Sequence, residues 1–554
     1  MIVKLSVFLS FLLMTPPLMA QDFRPSPEIS TGVTSVQSAT GDDFMIATAN
    51  PLATQAGFDI LKKGGSAADA TIAAQLVLGL VEPQSSGLGG GAFALYYNAT
   101  SGDLTSWDGR ETAPHSATST MFLDNKGQPI DFWDAVIGPQ SIGVPGTPKL
   151  LETLHHEFGA LDWATLFPLA IDIAERGFYK SPRLTDMIKA DKGKLDRFET
   201  TTNYFYNDNG ILKNPDYAST LKLFQTLGAS VFYNPDIIGG HIMNATDGRI
   251  NADDLAHYKV IKRAPVCGDY RGYKICSMGE PSSGGLTIIQ ALKILESYDL
   301  KPNDAQTIHY MAEASKLAFA DRNMYMADPD FVDTPNLALL NDRYLAKRRA
   351  LISDQAQSYN AGELSEIFTA QINQIEDGTT HIVAVDKVGN AISMTSTIES
   401  AFGSKIMTNG FLLNNEMTDF SFSPTKDGKI VANAIEAGKR PRSSMSPTIV
   451  FDRDGSPLLL IGSAGGSRII GFVLHRIITM IDWGMSVEDA IAMPNLLDRG
   501  NGLESETSLP QALSEKGHDI KIQDLTSGLT AIHIKENNLI GVADPRREGI
   551  AMGK

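Results

Sequence analysis

The chain has 554 residues, and 47 Lys and Arg against 64 Asp and Glu leave a formal charge of −17 at neutral pH. That sign argues against nucleic acid or an anionic membrane surface as the main partner. With 43% apolar and 20% charged residues the chain is not disordered, and two cysteines exclude a disulfide scaffold and a structural zinc site built from four cysteines.

Residues 1–20 read as a secretory signal: Lys4 supplies charge, Leu5 to Met14 is mostly apolar, and Thr15-Pro-Pro-Leu-Met-Ala20 leads to a cut before Gln21. The apolar run is too short to span a bilayer, which takes about 20 residues. A periplasmic or secreted protein is expected, with no stable membrane insertion. A polar, mobile stretch is expected to about Asp42. Ala53 to Lys63 and Ser66 to Leu80 then have helical spacing, broken by Gly64-Gly65, and Ala92 to Tyr97 reads as a strand.

Residues 145–330 read as mainly helical, including Gly284 to Tyr298 and Ala305 to Met326. Within them Cys267 and Cys276 flank an alternating run with a turn-forming Gly272. If Arg271-Gly272 is a two-residue hairpin loop, the cysteines fall opposite each other at a non-hydrogen-bonded pair, where Cα atoms approach most closely. A cross-strand disulfide and two reduced core thiols both fit that spacing. From Thr379 the texture turns to strands, His381 to Val385 and Ala391 to Thr397, then a helix from Ser467 to Trp483 and short strands to the end. Helices first and strands later predict an α+β layered domain.

Gly87-Leu-Gly89-Gly90-Gly91-Ala92 matches a dinucleotide fingerprint, but it opens a strand where that motif must open a helix. His155-His156-Glu157 lacks zinc spacing and reads as a solvated helix face. No P-loop, H-E-x-x-H or G-x-S-x-G is present, which leaves hydrolytic or transfer chemistry with no cofactor and no metal.

Gly378-Thr379-Thr380-His381 opens a strand whose return, Ala391 to Thr397, is related to it by a hairpin centred near Val388. Thr397 then lies about opposite Thr379, within a register slip of one or two residues. Two hydroxyls at a strand tip suit a nucleophile and its hydrogen-bonding orienter. Downstream lie Leu413-Asn-Asn-Glu416-Met-Thr-Asp419-Phe, Lys439-Arg-Pro-Arg-Ser443-Ser444 and Gly462-Ser-Ala-Gly465-Gly466-Ser467-Arg468.

With these stretches the sequence resembles the γ-glutamyltransferase (γ-glutamyltranspeptidase) family of N-terminal-nucleophile hydrolases. The resemblance extends to Asn50-Pro-Leu-Ala, Gly64-Gly65-Ser-Ala-Ala-Asp69, Val81-Glu-Pro, Ser86-Gly-Leu-Gly-Gly-Gly91, Arg110-Glu, Ala113-Pro114, Asp328-Pro-Asp-Phe331 and Asp544-Pro-Arg546. It implies a four-layer αββα sandwich built jointly by two chains, 21–378 and 379–554, cut from one precursor by Thr379 attack on the Gly378 carbonyl. The exposed α-amine, with an ordinary pKa of about 7.7–8.0, then serves as general base.

By the same resemblance Thr397 orients Thr379, and Gly465 and Gly466 supply oxyanion donors. Arg110, Ser443 and Ser444 would hold a substrate α-carboxylate, and Glu399, Glu416 and Asp419 would face its α-ammonium. The implied activity is hydrolysis or transfer of the γ-glutamyl group of glutathione and its conjugates, passed to water or to an amino acid or dipeptide. Alternatives are a glutaryl-cephalosporin acylase of the same fold and a non-catalytic exported binding protein. The sequence departs from the family's pattern at Glu399, where many relatives carry Asn, and in Phe420 to Arg442, which is short and holds no lid tyrosine.

Overall fold

The computed structural model describes residues 29–31, 35–206, 210–371, 378–536 and 538–554. The secretory segment and its cut after Ala20 lie outside the described residues. Two seven-stranded antiparallel sheets form the centre. Their strands, in chain order, are β1 Gln37–Gly41, β2 Met45–Thr48, β3 Gly91–Tyr97, β4 Leu104–Gly109, β5 Ile261–Arg263, β6 Val266–Tyr270 and β7 Tyr273–Ser277. They continue with β8 Thr380–Val385, β9 Ala391–Thr397, β10 Thr448–Phe451, β11 Pro457–Gly462, β12 Thr530–Lys535, β13 Asn538–Ala543 and β14 Ile550–Gly553. One sheet runs β14-β2-β8-β9-β3-β4-β5 and the other β1-β13-β12-β11-β10-β7-β6.

Period-two alternation assigns the layers. Val383 and Val385 of β8 pack with Phe93, Leu95, Ile449, Leu460 and Ile532 between the sheets. Ile382 and Ala384 point the other way, into a core shared with helices α1 (Pro51–Lys62) and α2 (Ala67–Val81). Helices α3 (Gly284–Leu295), α4 (Ala305–Tyr325) and α5 (Arg468–Ile481) cover the second sheet through Ile288, Leu317, Ile470 and Ile477. The order of layers is helix, sheet, sheet, helix. The expected αββα sandwich is the one observed.

Local sequence explains the helix entries. Asn50 caps α1 with Pro51 at its first position, and Ser66 and Asp69 form a reciprocal capping box at the start of α2. Every residue of α2 is buried, so this helix fixes the turn that follows it at 82–86.

Four readings shift. Gln37–Gly41 is not loose: it pairs with Leu539–Ala543 as an edge strand, where backbone hydrogen bonds suffice without an apolar pattern. The mainly helical region also holds strands β5 to β7, and helices Val487–Ala492 and Gln511–Glu515 interrupt the terminal strands. Of the His155 pair, His156 is solvated, but His155 packs against Trp163 and bonds the Leu161 carbonyl at 2.8 Å. The β6–β7 hairpin turns on Arg271-Gly272 and sets Cys267 opposite Cys276, with Cα atoms 4.2 Å apart and the sulfurs joined in a disulfide.

Candidate active site

The β8–β9 hairpin pairs Thr380 with Ser396 and Val385 with Ala391. Extending that register by one residue sets Thr379 across from Thr397 with no slip. Thr379 Oγ1 donates to Thr397 Oγ1 at 3.3 Å, and Thr397 Oγ1 also accepts the Glu399 N–H at 2.8 Å. That backbone donor occupies one lone pair of Thr397 and fixes where its hydroxyl points. Thr379 has φ +85°, a conformation that costs a β-branched residue about 1–3 kcal/mol and needs external support.

Gly378 (φ +84°) meets the bond to Thr379 under tight constraint: a Cβ there would lie 1.8 Å from the Glu399 carbonyl oxygen. Only glycine fits. Its carbonyl oxygen accepts the Gly465 N–H at 3.3 Å. Gly465 (φ +120°) and Gly466 (φ +57°) form the turn from β11 into α5, whose N-cap is Ser467, so the predicted helix-entry turn lies over the Gly378 carbonyl.

A narrow cleft opens beside Thr379 and gathers Arg110, Thr397, Glu399, Glu416, Asp419, Ser443, Ser444 and Gly466. All the predicted site residues except Gly465 line it, and Gly465 bonds the Gly378 carbonyl, next to Thr379 in the chain. Arg110 follows β4, is 1% exposed, and forms hydrogen-bonded ion pairs with Glu416 and Asp419. Its Nε donates to the Pro441 carbonyl at 3.2 Å. Groups expected on opposite ends of a ligand are therefore paired with one another here.

The basin carries more carboxyls than one guanidinium neutralises. Burial lifts the Glu399 and Glu416 pKa values well above the usual carboxylate range, and neighbouring carboxylates add to this. Burial likewise pushes Glu111 up to about 7. Glu399 Oε2 accepts the Ser400 hydroxyl and the Asn415 amide at 2.5 Å each, while Glu399 Oε1 has no partner among the described residues. A cationic ligand group would take up that oxygen and displace protons from the cluster.

Several contributors escaped sequence reasoning. Arg322 of α4 donates to Ser444 Oγ at 2.5 Å and to Ser283 Oγ at 2.8 Å, fixing the serine pair from behind. Met445 and Ile469 supply apolar lining. The Ser85 carbonyl accepts the Thr379 and Ile398 N–H groups, and Arg547 donates to the Thr379 carbonyl. The Arg110-Glu111 and Arg546-Arg547 pairs were the available signals, but their contacts lie far apart in sequence.

Among the described residues, His309, Glu313 and His518 could offer a metal ligand atoms within 4.8 Å of one another. None lines the cavity. The imidazoles bond each other at 2.8 Å and Lys316 pairs with Glu313 at 2.5 Å, so the cluster is satisfied as it stands.

A threonine beginning an inner strand of an αββα sandwich, with a glycine carbonyl before it in the grip of a backbone donor, defines the N-terminal-nucleophile hydrolase class. Residues 53–554 match the family model described as gamma-glutamyltranspeptidase. The chain is 36% identical over 548 residues to a glutathione hydrolase proenzyme of Bacillus subtilis (strain 168), covering 93% of this chain and 92% of that protein. It is 34% identical over 555 residues to the acylase ACY 1 proenzyme of Pseudomonas sp. (strain SE83), covering 95% and 96%. The crystal structure of cephalosporin acylase from Bacillus halodurans superposes with a TM-score of 0.83 at 25% identity, over 98% of this chain and 99% of that one. The chain belongs to the γ-glutamyltranspeptidase family and is an enzyme of the hydrolase and transferase type.

Proposed function

We propose that this chain is a precursor that cuts itself between Gly378 and Thr379. The two chains, 21–378 and 379–554, then work together as a γ-glutamyl hydrolase/transferase on glutathione and its conjugates. The observation that carries this reading is what flanks the Gly378–Thr379 bond: the Thr379 hydroxyl donates to Thr397 on one side, and the Gly465 N–H donates to the Gly378 oxygen on the other.

In the self-cut, Thr379 Oγ bonds the Gly378 carbonyl carbon, and the oxyanion is met by the Gly465 N–H. The C–N bond then breaks, its nitrogen takes a proton and becomes the free α-amine, and an ester remains. Water opens that ester, leaving the Gly378 carboxylate and a restored Thr379 hydroxyl. In turnover the amine draws the Thr379 proton while the hydroxyl attacks the γ-carbonyl of the donor. Cys-Gly leaves with a proton, and the γ-glutamyl ester passes to water or to an amine. No step needs a cofactor.

For recognition, Arg110 and the Ser443-Ser444 pair would take the donor's α-carboxylate, and Glu399, Glu416 and Asp419 its α-ammonium. This requires a ligand to exchange into the Arg110 ion pairs, a carboxylate replacing a carboxylate on the guanidinium. The same basin weighs against an acylase specificity, because a glutaryl group brings no ammonium to meet these carboxyls. Hydrolysis of γ-glutamyl-p-nitroanilide should exceed that of glutaryl-p-nitroanilide by at least about 100-fold in kcat/KM. A preference for the glutaryl compound would reverse the assignment. We place the enzyme outside the cytoplasm. The secretory pattern read in residues 1–20 supports this, as does the Cys267–Cys276 disulfide, a bond of oxidising compartments; among the described residues no helix is long and apolar enough to cross a membrane.

A further inference from the structure

The nucleophile's backbone is held on both sides by a charged assembly that the reaction above does not use. Thr379 N–H donates to the Ser85 carbonyl at 3.2 Å, and that carbonyl also accepts the Ile398 N–H at 3.3 Å. On the other side Arg547 Nη1 donates to the Thr379 carbonyl at 2.9 Å and to Ser85 Oγ at 3.4 Å. The guanidinium is buried, and Glu82 Oε2 lies 3.7 Å from Nη1. Glu82 Oε1 in turn accepts Arg183 Nη1 at 3.1 Å. Gly528 makes room: a Cβ there would come within 2.7 Å of Arg547 Nε.

We propose that Arg547 is a positioning residue for the threonine nucleophile, holding the Thr379 carbonyl while the Ser85 carbonyl holds its nitrogen. The inference rests on Thr379 being the nucleophile. It follows from what the site demands. A β-branched residue at φ +85° relaxes unless its peptide groups are fixed, and relaxation would swing Oγ away from Thr397 and the Gly378 carbon. After the cut, the Ser85 carbonyl accepts one amine N–H, which turns the lone pair toward the hydroxyl.

Arg547 also brings charge to the nucleophile. Its guanidinium bonds the Thr379 backbone directly, whereas Glu82 stands farther off and is bonded to Arg183. Across the cavity stand Glu399, Glu416 and Asp419, with Arg110 paired to the last two. A cation beside a nascent amine favours its uncharged form, the form a general base needs.

The test compares wild type, Arg547→Met and Arg547→Lys by the rate of self-cutting and by the pH profile of kcat/KM for the matured fraction. Arg547→Met should slow the cut at least about tenfold and move the acidic limb up by about one pH unit, the scale of one buried charge removed from nearby. Arg547→Lys keeps the charge but puts it on a shorter, non-planar head that does not reach the Thr379 carbonyl as Nη1 does, so its limb should stay in place while cutting slows at least about threefold. A Met variant with the wild-type rate and limb would overturn the proposal. Should the Met variant not fold, the Lys variant decides: a displaced limb or an unchanged rate overturns it. A wild-type chain that is not cut at Gly378-Thr379 would instead remove the assignment of Thr379 itself.

Discussion

Gly378→Ala isolates the geometry of the bond proposed to be cut. The added methyl would sit 1.8 Å from the Glu399 carbonyl oxygen, and the residue would have to hold φ +84°. The left-handed conformation alone costs an L-residue about 1–2 kcal/mol. The collision is worse, because the Glu399 backbone cannot retreat: its N–H bonds Thr397 Oγ1 at 2.8 Å, and the Ser400 N–H bonds Asn415 Oδ1 at 3.0 Å. The shift therefore falls on residue 378, by about 1 Å or more, since real Cβ contacts stay beyond 3.0 Å. That withdraws the carbonyl from the Gly465 N–H and from the Thr379 hydroxyl. A lost oxyanion donor costs about 100- to 1000-fold, and a misplacement of about 1 Å costs about 100-fold. The cut should slow by at least about 1000-fold, read as uncut chain on a denaturing gel over time. Gly389→Ala is the control, since it shares the left-handed strain (φ +92°) while its nearest contact lies at 3.4 Å. It should cut normally. Cutting of Gly378→Ala within about tenfold of wild type would refute the reasoning.

Asp419→Asn should lower kcat/KM for γ-glutamyl-p-nitroanilide at least about 30-fold, a desolvated charged contact being worth about 2–5 kcal/mol, with cutting preserved; wild-type kinetics would remove Asp419 from the site. Because burial and neighbouring carboxylates raise the Glu399 pKa, an α-ammonium seated on Glu399 Oε1 would displace a proton, so L-glutamate should inhibit more tightly as pH rises above the usual carboxylate range, and a flat or opposite trend would count against that basin. Burial pushes the His381 pKa down to about 3. The stability this neutral imidazole contributes is present above about 6.5 and is lost as pH falls toward 3, at about 1.4 kcal/mol per unit. His381→Gln should therefore flatten the acid side of the stability curve, and parallel curves for the two proteins would contradict it. With no tyrosine in Phe420 to Arg442, glutathione should yield mainly glutamate and Cys-Gly at low millimolar Gly-Gly. A main product of γ-glutamyl-Gly-Gly would show that the cleft is closed by other means.

What was legible in the sequence is what period and turn chemistry encode locally. The hairpin centred on Val388 gave the Thr379–Thr397 pairing because both strands alternate and their turn is short. The Arg271-Gly272 loop gave the cysteine register for the same reason, but not the oxidation state, which depends on how closely the strands approach. The Gly465-Gly466 entry to α5 was readable as a turn; that it reaches over the Gly378 carbonyl depends on how the two sheets stack. Arg322 behind Ser444 and Arg547 on Thr379 were not legible, since a buried arginine's partner is chosen by tertiary packing across more than a hundred residues. The mutual pairing of Arg110 with Glu416 and Asp419 was hidden for a related reason: the residues were assigned to a ligand's ends, and without one they neutralise each other.

The central claim is that Thr379 is both the agent of the cut and the nucleophile of turnover. Intact-mass and N-terminal analysis of purified wild type and Thr379→Ala tests it most directly. Wild type should give two chains, the smaller beginning Thr379-Thr380-His381, and Thr379→Ala should give one uncut, inactive chain. A wild-type protein that hydrolyses glutathione as a single uncut chain, or a Thr379→Ala protein cut at the same bond, would contradict it.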